Sequence, residues 1–512
     1  MYRRRHTHVK VEEKKISLEP GKMESMGNLE TEVEEAKEYY KTGKTRDFSW
    51  RKTQLKGIQN LLRDQESEFF EALRQDLGKH HVEAFRDEIG TTMKSANYAL
   101  ANLKHWMSNK KAELPIIALL SSAEVSPEPL GLVLVMSSWN IPIGLCLEPL
   151  IGALAAGNAV VLKPSELSPS CSSLLAKTIP KYLDGKAVKV VEGGPDVGER
   201  LLQRKWDKIF FTGSARVGRI VLSAAAEHLT PVTLELGGKC PAIIDSLTRS
   251  WDQQVAANRM IGAKFGSCAG QACIAVDYAL VEKAYAPTLI ELMKRGVEKM
   301  FGENPRKSNS IGRIGHMNNF LRLKSLLEDE RIKECIVHGG SVDAENMFIE
   351  PTILLDPPLD SKVMTEEIFG PVLPIITLKK IEDSIEFISS RSKPLAIYAF
   401  TNDEKFKKRL LSETSSGSLI FNDAIIQYAA DTLPFGGVGE SGIGKYHGKY
   451  SFEAFSHYKA VAYRSFLTDF WFRFPPWNDN KLELFRTAYN YDYVGMLLVI
   501  LGLKRSTKTH LQ

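Results

Sequence analysis

Between residues 130 and 215 the apolar positions form short continuous runs, separated by longer segments with helical spacing. The four runs cover 132–136, 159–162, 188–191 and 208–211, and the helical segments cover 149–156, 168–183 and 195–202. Strands without polar alternation are buried on both faces. This part of the chain therefore predicts a parallel sheet with helices on both sides, which binds ligands beyond the carboxyl ends of its strands.

The same pattern restarts after residue 238 as a second α/β unit. Its predicted strands cover 277–281, 335–338, 372–377 and 395–400, its long helix covers 286–300, and 412–418 opens a loop-rich return. Before the first unit, 26–77 is charged with apolar residues at helical spacing, which predicts an antiparallel helix pair. The segment 115–129 predicts an extended strand or hairpin.

These patterns predict two doubly wound α/β domains. We assign 1–25 as a disordered extension, 26–237 to N-terminal helices and a first domain that includes an arm segment at 112–130, and 238–440 to a second domain. Residues 441–512 are predicted to return to the first domain, complete the arm and form a tail. A chain of 512 residues is longer than a single hydrophobic core usually supports, which also favours more than one domain.

One thiol lies in a glycine-bearing loop between two apolar segments, at 270–275 (GQACIA). A loop can present a thiol to a ligand, so Cys273 is a candidate nucleophile, the alternative being a small core residue.

Glu235 lies between two leucines, an apolar setting that raises a carboxyl pKa toward that of a useful base; it could instead cap the glycine turn that follows. Asn140 follows a predicted strand, where its amide can join the Cys273 backbone N–H to hold an oxyanion, or can simply form a turn.

A strand-to-helix turn at 211–218 (FTGSARVG) predicts an anion site. Around Gly213, Ser214 and Gly218 the backbone N–H groups and the helix dipole would face a pyrophosphate. The glycine spacing is GxxxxG rather than GxGxxG, so a plain strand–helix junction is the alternative. Lys163 and Glu166, just after the 159–162 strand, can hydrogen-bond the two hydroxyls of an adenosine ribose.

Composition narrows the partners and the compartment. The chain is 43% hydrophobic and 25% charged, as in ordinary globular proteins, and its small net charge of +5 is spread along the chain and indicates no nucleic acid. The six cysteines contain no CxxC pair, which disfavours a zinc site and a disulfide framework, so no metal is expected. Cysteines that stay reduced are typical of the cytoplasm. Residues 1–8 are basic, but no apolar run follows them, so they do not form a secretory signal.

The candidate loops, together with 366–371 (EEIFGP) and 434–439 (PFGGVG), resemble the NAD(P)-dependent aldehyde dehydrogenase superfamily over roughly residues 30–465. The segments 446–449 (YHGK) and 455–457 (FSH) are most similar to class 3, which includes fatty aldehyde dehydrogenases. The sequences of segments 238–241 (GKCP) and 266–269 (GSCA) are most similar to those of the plant members. The resemblance implies a Rossmann-like cofactor domain, a catalytic domain and a small oligomerisation arm, in a homodimer.

The resemblance also implies the reaction and further residue roles. Cys273 would attack a medium- or long-chain aliphatic or lipid-peroxidation-derived aldehyde, hydride would pass to NAD, with NADP also tolerated, and water activated by Glu235 would hydrolyse the thioester. In the family motif the second Glu, here Glu367, contacts the nicotinamide-side ribose and Phe369 packs nearby, whereas Glu366 is expected to be solvated. Cys268 departs from the usual family wording, which leaves the width of the substrate tunnel open; we expect it to pack and to be an oxidisable neighbour.

Two other functions compete with aldehyde oxidation. In acyl-transferring relatives coenzyme A takes the acyl group, but these lack a general-base Glu at the position matching Glu235. A structural or binding protein on the same scaffold usually loses a catalytic residue, whereas Cys273, Glu235 and Asn140 are all present. His447 and His457 match family positions, and we expect core or surface histidines without a catalytic role.

The tail carries one apolar run, at 494–503, which ends at Lys504 and Arg505. As a helix it would rise only about 15 Å, half of a bilayer core of about 30 Å, so it cannot span a membrane. We expect it to dock on the protein or a dimer partner, with peripheral contact with a membrane, such as that of the endoplasmic reticulum, as the alternative. The predicted location is cytoplasmic.

Overall fold

The charged N-terminal segment folds as helices whose apolar faces pack on the first α/β unit. The computed structural model describes residues 20–115, 118, 120–467 and 469–503, so most of the predicted 1–25 extension lies outside the described residues. The helices are α1 (Pro20–Lys41), α2 (Phe48–Asp64), α3 (Glu66–Leu77), α4 (His81–Ala84) and α5 (Gly90–Trp106), with a π-helical turn at Phe85–Ile89 between the last two.

The predicted antiparallel helix pair over 26–77 is wrong, because three helices cover this range and α1 begins at Pro20, within the predicted extension. Two breaks separate the three helices. Gly43 has a left-handed φ of 77°, and Gln65 leaves the helical conformation between α2 and α3. Trp50, Ile58 and Leu61 of α2 are buried in the main core, to which α3 also contributes Phe69 and Leu73.

The first α/β unit is a six-stranded sheet with helices on both faces. Its elements follow an outer strand pair and run in chain order as β1 (Lys110–Ala112), β2 (Ser121–Pro129), β3 (Leu132–Met136), α6 (Gly144–Ala156), β4 (Ala159–Lys163), α7 (Pro169–Tyr182), β5 (Val188–Val190), α8 (Pro195–Leu202), β6 (Lys208–Gly213), α9 (Ala215–Glu227) and β7 (Val232–Leu236). All four predicted strands, now β3 to β6, are confirmed. The predicted helix 149–156 instead begins at Gly144, so Pro149 lies inside α6 and does not mark its start.

The second unit is a seven-stranded sheet built from residues 241–421. Its elements are β8 (Pro241–Ile244), α10 (Ser250–Lys264), β9 (Tyr278–Glu282), α11 (Ala286–Phe301), α12 (Met317–Glu328), α13 (Glu330–Lys333), β10 (Ile336–His338), β11 (Val342–Asp343), β12 (Phe348–Ile349), β13 (Thr352–Leu355), α14 (Lys362–Thr365), β14 (Val372–Leu378), α15 (Asp383–Ser389), β15 (Ala396–Phe400), α16 (Glu404–Glu413) and β16 (Ser418–Phe421). Its strand order is β10-β13-β14-β9-β8-β15-β16, and β11 pairs separately with β12.

The chain then returns to the first unit and ends in an arm and a helical tail. The last elements are β17 (Gly442–Ile443), α17 (Lys449–Ala454), β18 (Ser456–Arg464), α18 (Asp479–Tyr489) and α19 (Tyr493–Ile500). Strand β17 pairs with β7 and completes the order β17-β7-β6-β3-β4-β5. Strand β18 pairs antiparallel with β2 over nine residues, and β1 lies on the other side of β2.

The two sheets meet where Gly237–Lys239 connects β7 to β8. Strands β3, β4, β6 and β7 run parallel to one another, so their carboxyl ends lie at one edge of the sheet. Lys163 is the last residue of β4, and the loops after these strands carry Asn140, Glu166, Ser214 and Gly237. The second unit contributes the loop between α10 and β9 to the same region, and this loop carries Cys273.

Candidate active site

Cys273 lies at the end of a strained loop that faces a cavity. Cys268 and Ala269 both have a left-handed φ of 48°, and Gly270 has a φ of 78°. A Cβ atom at Gly270 would lie 2.5 Å from the carbonyl oxygen of Gly370, so only glycine lets these two loops approach. Residue Cys273 is partly exposed and lines the cavity, as expected of a side chain that the loop presents to a ligand.

Burial holds the Cys273 thiol in its neutral form in the cofactor-free protein. Loss of solvent, and then the nearby carboxyl groups of Glu367 and Glu235, raise its pKa to about 12. The backbone N–H groups of Cys273 and Ile274 point at the sulfur and act in the opposite direction. A positive charge brought close to the sulfur would therefore favour the reactive thiolate.

Glu235 is the last residue but one of β7, pairs with Gly442 of β17, and is buried. Neither carboxyl oxygen has a hydrogen-bond partner among the described residues. Burial raises the pKa of Glu235 well above its usual range. A carboxyl group with no partner and a raised pKa, lining the same cavity as Cys273, has the properties of a general base.

Asn140 lines this cavity from the opposite wall. It is buried in the loop between β3 and α6, and its backbone carbonyl accepts hydrogen bonds from Lys79 and Cys268. Within the described chain no hydrogen bond engages its side-chain amide, which remains available to an oxygen atom in the cavity. The structure thus brings Cys273, Glu235 and Asn140 together around one space.

The space itself has a volume of about 260 Å³ and mostly apolar walls. Much of one wall is the segment 424–429, whose Ile425 has a left-handed φ of 56°. The buried Phe435 and Tyr446 and the exposed Arg86 also line the cavity. Sequence reasoning did not identify the 424–429 wall, because no local pattern distinguishes it from any other loop.

A second, larger cleft of about 980 Å³ lies beyond β4 and β6 and fits the predicted dinucleotide site. Lys163, Glu166, Gly213 and Ser214 line it. The Lys163 Nζ donates to the Glu166 carboxylate at 3.0 Å. The Ser214 side chain caps α9, and the first N–H groups of a helix have no partner within the helix, so this end suits an anion.

Gly218, Glu367 and Phe369 are the three predicted cofactor residues that do not line the cleft, and Gly218 has a packing role. It lies on the buried face of α9, where a Cβ atom would come within 2.8 Å of the Leu236 side chain. Its lack of a side chain lets α9 pack closely on β7. Gly218 therefore supports the position of the helix and does not contact a pyrophosphate directly.

Glu367 and Phe369 lie on the loop between α14 and β14 and line neither cavity, but they interact with residues that do. The Glu367 carboxylate accepts from the Gly238 backbone N–H, and a Cβ atom at Gly237 would lie 2.1 Å from it. Burial raises the pKa of Glu367 to about 8. Phe369, at a φ of 52°, packs edge-on against Trp139, which lines the cofactor cleft, whereas Glu366 is exposed as predicted.

The two histidines and Cys268 have structural positions. His447 is buried among Tyr428, Phe435 and Tyr446, its ring nitrogens have no partner in the described structure, and burial lowers its pKa to about 3. His457 is exposed on β18. Cys268 is buried, as predicted for a packing residue. All six cysteines are free, and within the described ranges no cluster of His, Cys, Asp or Glu could hold a metal ion.

The apolar cavity holds a candidate cysteine nucleophile, a buried candidate base and a candidate oxyanion donor, and it lies beside a cleft that fits a dinucleotide. These groups are the ones that a dehydrogenase with a covalent intermediate needs. A sequence model of the aldehyde dehydrogenase family matches residues 21–461, and this chain belongs to that family. It is therefore an enzyme that oxidises aldehydes with a nicotinamide dinucleotide.

Curated relatives and solved structures agree with this assignment. The chain is 55% identical to aldehyde dehydrogenase family 3 member F1 of Arabidopsis thaliana, over 94% of this chain and 100% of that protein. It is 49% identical to family 3 member H1 of the same plant, over 93% and 97% of the two chains. The structure of a substrate-bound Staphylococcus aureus AldH has a TM-score of 0.85 and 39% identity, and covers 91% of this chain and 99% of its own. The resemblance to class 3 and its plant members is confirmed.

Proposed function

We propose that this aldehyde dehydrogenase acts on medium- and long-chain aliphatic aldehydes, including those from lipid peroxidation, and prefers NAD. The observation that carries the proposal is the apolar cavity that joins Cys273, Glu235 and Asn140. Ile141, Leu145, Ile425 and Ile426 line it and would remove an alkyl chain from water. The aldehyde carbonyl would lie beside Cys273 and Asn140.

The residues of this chain divide the reaction between them. The Cys273 thiol releases its proton to solvent, its sulfur attacks the aldehyde carbon, and the Asn140 amide with the Cys273 backbone N–H stabilises the oxyanion that forms. A bound nicotinamide would supply the hydride acceptor, and loss of hydride from the oxyanion leaves a thioester on Cys273. Glu235 then takes a proton from water, the water oxygen attacks the thioester, and the carboxylic acid leaves as Cys273 regains its proton.

The cofactor cleft supports a preference for NAD over NADP. The Glu166 carboxylate is held at the end of β4 by Lys163, where it would accept from ribose hydroxyls. A 2′-phosphate at the same place would be repelled by about 1 kcal/mol or more. The half-exposed position of Glu166 weakens this repulsion, so preference and not exclusion is expected.

Steady-state kinetics with acetaldehyde, octanal and benzaldehyde, each with both cofactors, test the proposal. We expect kcat/KM for octanal to exceed that for acetaldehyde about 10- to 1,000-fold, because each buried CH₂ contributes about 0.8 kcal/mol. Benzaldehyde should fall below octanal, and NAD should exceed NADP. A flat response to chain length would contradict the substrate class, and equal kcat/KM for the two cofactors would count against the role of Glu166.

The arm supports a homodimer. The sheet β1-β2-β18 extends from the first unit, and five of the nine residues of β18 are exposed. Tyr463 on β18 is 55% exposed although its hydroxyl donates to Glu124. A sheet with little cover of its own is the kind of surface that a second copy buries.

The tail is a helical hairpin in which α19 packs on α18. Val494, Leu497 and Ile500 are 71%, 54% and 50% exposed, so the hairpin does not bury its own apolar surface. Within the described residues, no helix combines the length and apolarity needed to cross a membrane. We therefore favour a cytoplasmic dimer whose tail packs on the partner, with peripheral contact with the endoplasmic reticulum membrane as the alternative.

Cell fractionation followed by light scattering tests this assembly and location. We expect most of the protein in the high-speed supernatant, with a mass of two 57.3 kDa chains. Any membrane-associated fraction should be released by salt or mild detergent, because a short exposed helix holds a bilayer weakly. Recovery wholly in a carbonate-resistant pellet would contradict the proposal, since only an integral anchor withstands that wash.

A further inference from the structure

The loop that carries Asn140 rests on a fully buried ion pair between Lys79 and Glu88. Both side chains are 0% exposed, and the Lys79 Nζ lies 2.5 Å from the Glu88 Oε1. Lys79 enters the interior because Gly78, with a φ of 65°, turns the chain at the end of α3. Neither residue lines the cavity that contains Cys273, so a role in catalysis would have to act through other groups.

Each charged group contacts the backbone of the Asn140 loop. Lys79 Nζ donates to the Asn140 carbonyl oxygen at 3.1 Å. The second Glu88 oxygen accepts from the N–H groups of Ile143 and Gly144, at 2.8 and 3.2 Å, and so caps α6 at its positive end. The pair therefore holds the loop on both sides of the bend that directs the Asn140 side chain at the cavity.

The nucleophile loop is held by the same helical segment. The Glu83 carboxylate accepts from the Cys268 backbone N–H at 2.7 Å, and the Cys268 sulfur donates to the Asn140 carbonyl at 3.2 Å. Ser267 donates to Asp87 at 2.9 Å. Arg86 also donates to the Gly266 carbonyl at 3.4 Å, so five side chains from residues 79–88 contact the two loops that supply the oxyanion site.

The π-helical turn explains how two carboxylates reach these neighbouring loops. Glu83 and Glu88 are five residues apart, which on an α-helix places them about 140° apart around the axis. The Gly90 N–H donates to the Phe85 carbonyl, five residues back, so the turn is one residue wider than in an α-helix. The wide turn brings Glu88 back toward the side of Glu83 and of Lys79.

A buried ion pair contributes little net stability compared with apolar residues of similar size. The buried pair here fixes geometry, because both charged groups form hydrogen bonds with backbone groups of the Asn140 loop. Burial by itself would lower the pKa of Lys79, but the Glu88 carboxylate keeps that pKa above its ordinary value, so the amine stays charged.

We propose that Lys79 and Glu88 are positioning residues that hold the Asn140 amide and the nucleophile loop in the geometry that binds the oxyanion. This inference rests on the proposed role of Asn140. It predicts that loss of the pair slows attack and hydride transfer without weakening cofactor binding, because neither Lys79 nor Glu88 lines the dinucleotide cleft.

The test is a double-mutant cycle between Lys79→Met and Asn140→Ala, read as the rate of the NADH burst with octanal and NAD in stopped flow. In the wild-type background Lys79→Met should slow the burst about 10- to 100-fold, as expected for a small displacement of an oxyanion donor. In the Asn140→Ala background the same change should cost less than about threefold, because the donor that Lys79 positions is already absent. The dissociation constant for NAD should stay within about twofold.

Lys79→Met leaves Glu88 buried without a partner, so a second variant protects the test against misfolding. Lys79→Met/Glu88→Gln removes both charges and keeps an oxygen that can accept from Ile143 and Gly144. It should melt near the wild-type temperature and still show the slow burst. Lys208→Met, at a buried lysine near the opposite end of β6, is the matched control and should keep the wild-type burst.

Two results would overturn the positioning role: equal slowing in both backgrounds, which would mean that Lys79 acts independently of Asn140, or a wild-type burst in the folded double variant. Failure of the proposed function is distinguishable from these. If wild-type enzyme gives a burst and Asn140→Ala gives the same one, then Asn140 is not the oxyanion donor and the basis of the inference is removed.

Discussion

Cys273→Ala is expected to abolish NADH formation from aldehydes while NAD binding survives. Among the described residues lining the cavity, Cys273 is the one thiol, and the cavity offers no serine or lysine at its place in the wall that could form the same bond. Without the covalent step there is no thiohemiacetal from which hydride can leave. The loss should exceed about 10⁴-fold, as for other enzymes that lose a covalent nucleophile.

Cys335→Ala is the matched control, because Cys335 is the other partly exposed cysteine and lies next to β10, away from the cavity. Its NADH production should equal that of wild type. NAD affinity can be measured by protein fluorescence in both variants. Turnover above trace level in a clean Cys273→Ala preparation would refute the assignment of the nucleophile.

Glu235→Gln is expected to keep acylation and lose thioester hydrolysis. A stoichiometric burst of NADH should be followed by a stall, because the amide cannot take a proton from water. We expect the steady rate to fall about 10²- to 10⁴-fold, the usual contribution of a general base. Mass spectrometry of the stalled enzyme should find the acyl group on Cys273. If neither burst nor steady rate changes, Glu235 is structural.

The pH dependence follows from the same carboxyl group. Burial raises the pKa of Glu235, so the group is protonated over a wider pH range than an exposed carboxyl and cannot accept a proton there. Hydrolysis should therefore rise with pH above the range in which an exposed glutamate titrates, and fall as pH is lowered. In Glu235→Gln the residual hydrolysis should lack this rise. Glu148→Gln, which changes a buried carboxyl outside the cavity whose pKa is also raised by burial, should keep the wild-type profile.

Much of the fold is legible in the sequence because its signals are local. Continuous apolar runs mark the buried parallel strands, and glycines mark the turns where strands end. The same holds for Cys273, Glu235 and Asn140, whose neighbours along the chain already describe a loop, an apolar strand end and a turn. Resemblance to a family then joined these separate sites into one mechanism and added Glu367 and Phe369.

Other features depend on contacts between residues far apart in the chain, and the sequence does not specify them. Gly218 matches a phosphate-binding pattern, yet its distance from Leu236 of β7 makes it a packing residue. The 424–429 wall becomes part of the cavity only when the second unit folds back on the first. In the sequence Lys79 and Glu88 resemble ordinary surface charges, and only the tertiary structure buries them. What the sequence determined by itself is the set of chemical groups and the elements that carry them; their distances, burial and pKa values were decided by tertiary packing, because each depends on neighbours from other segments.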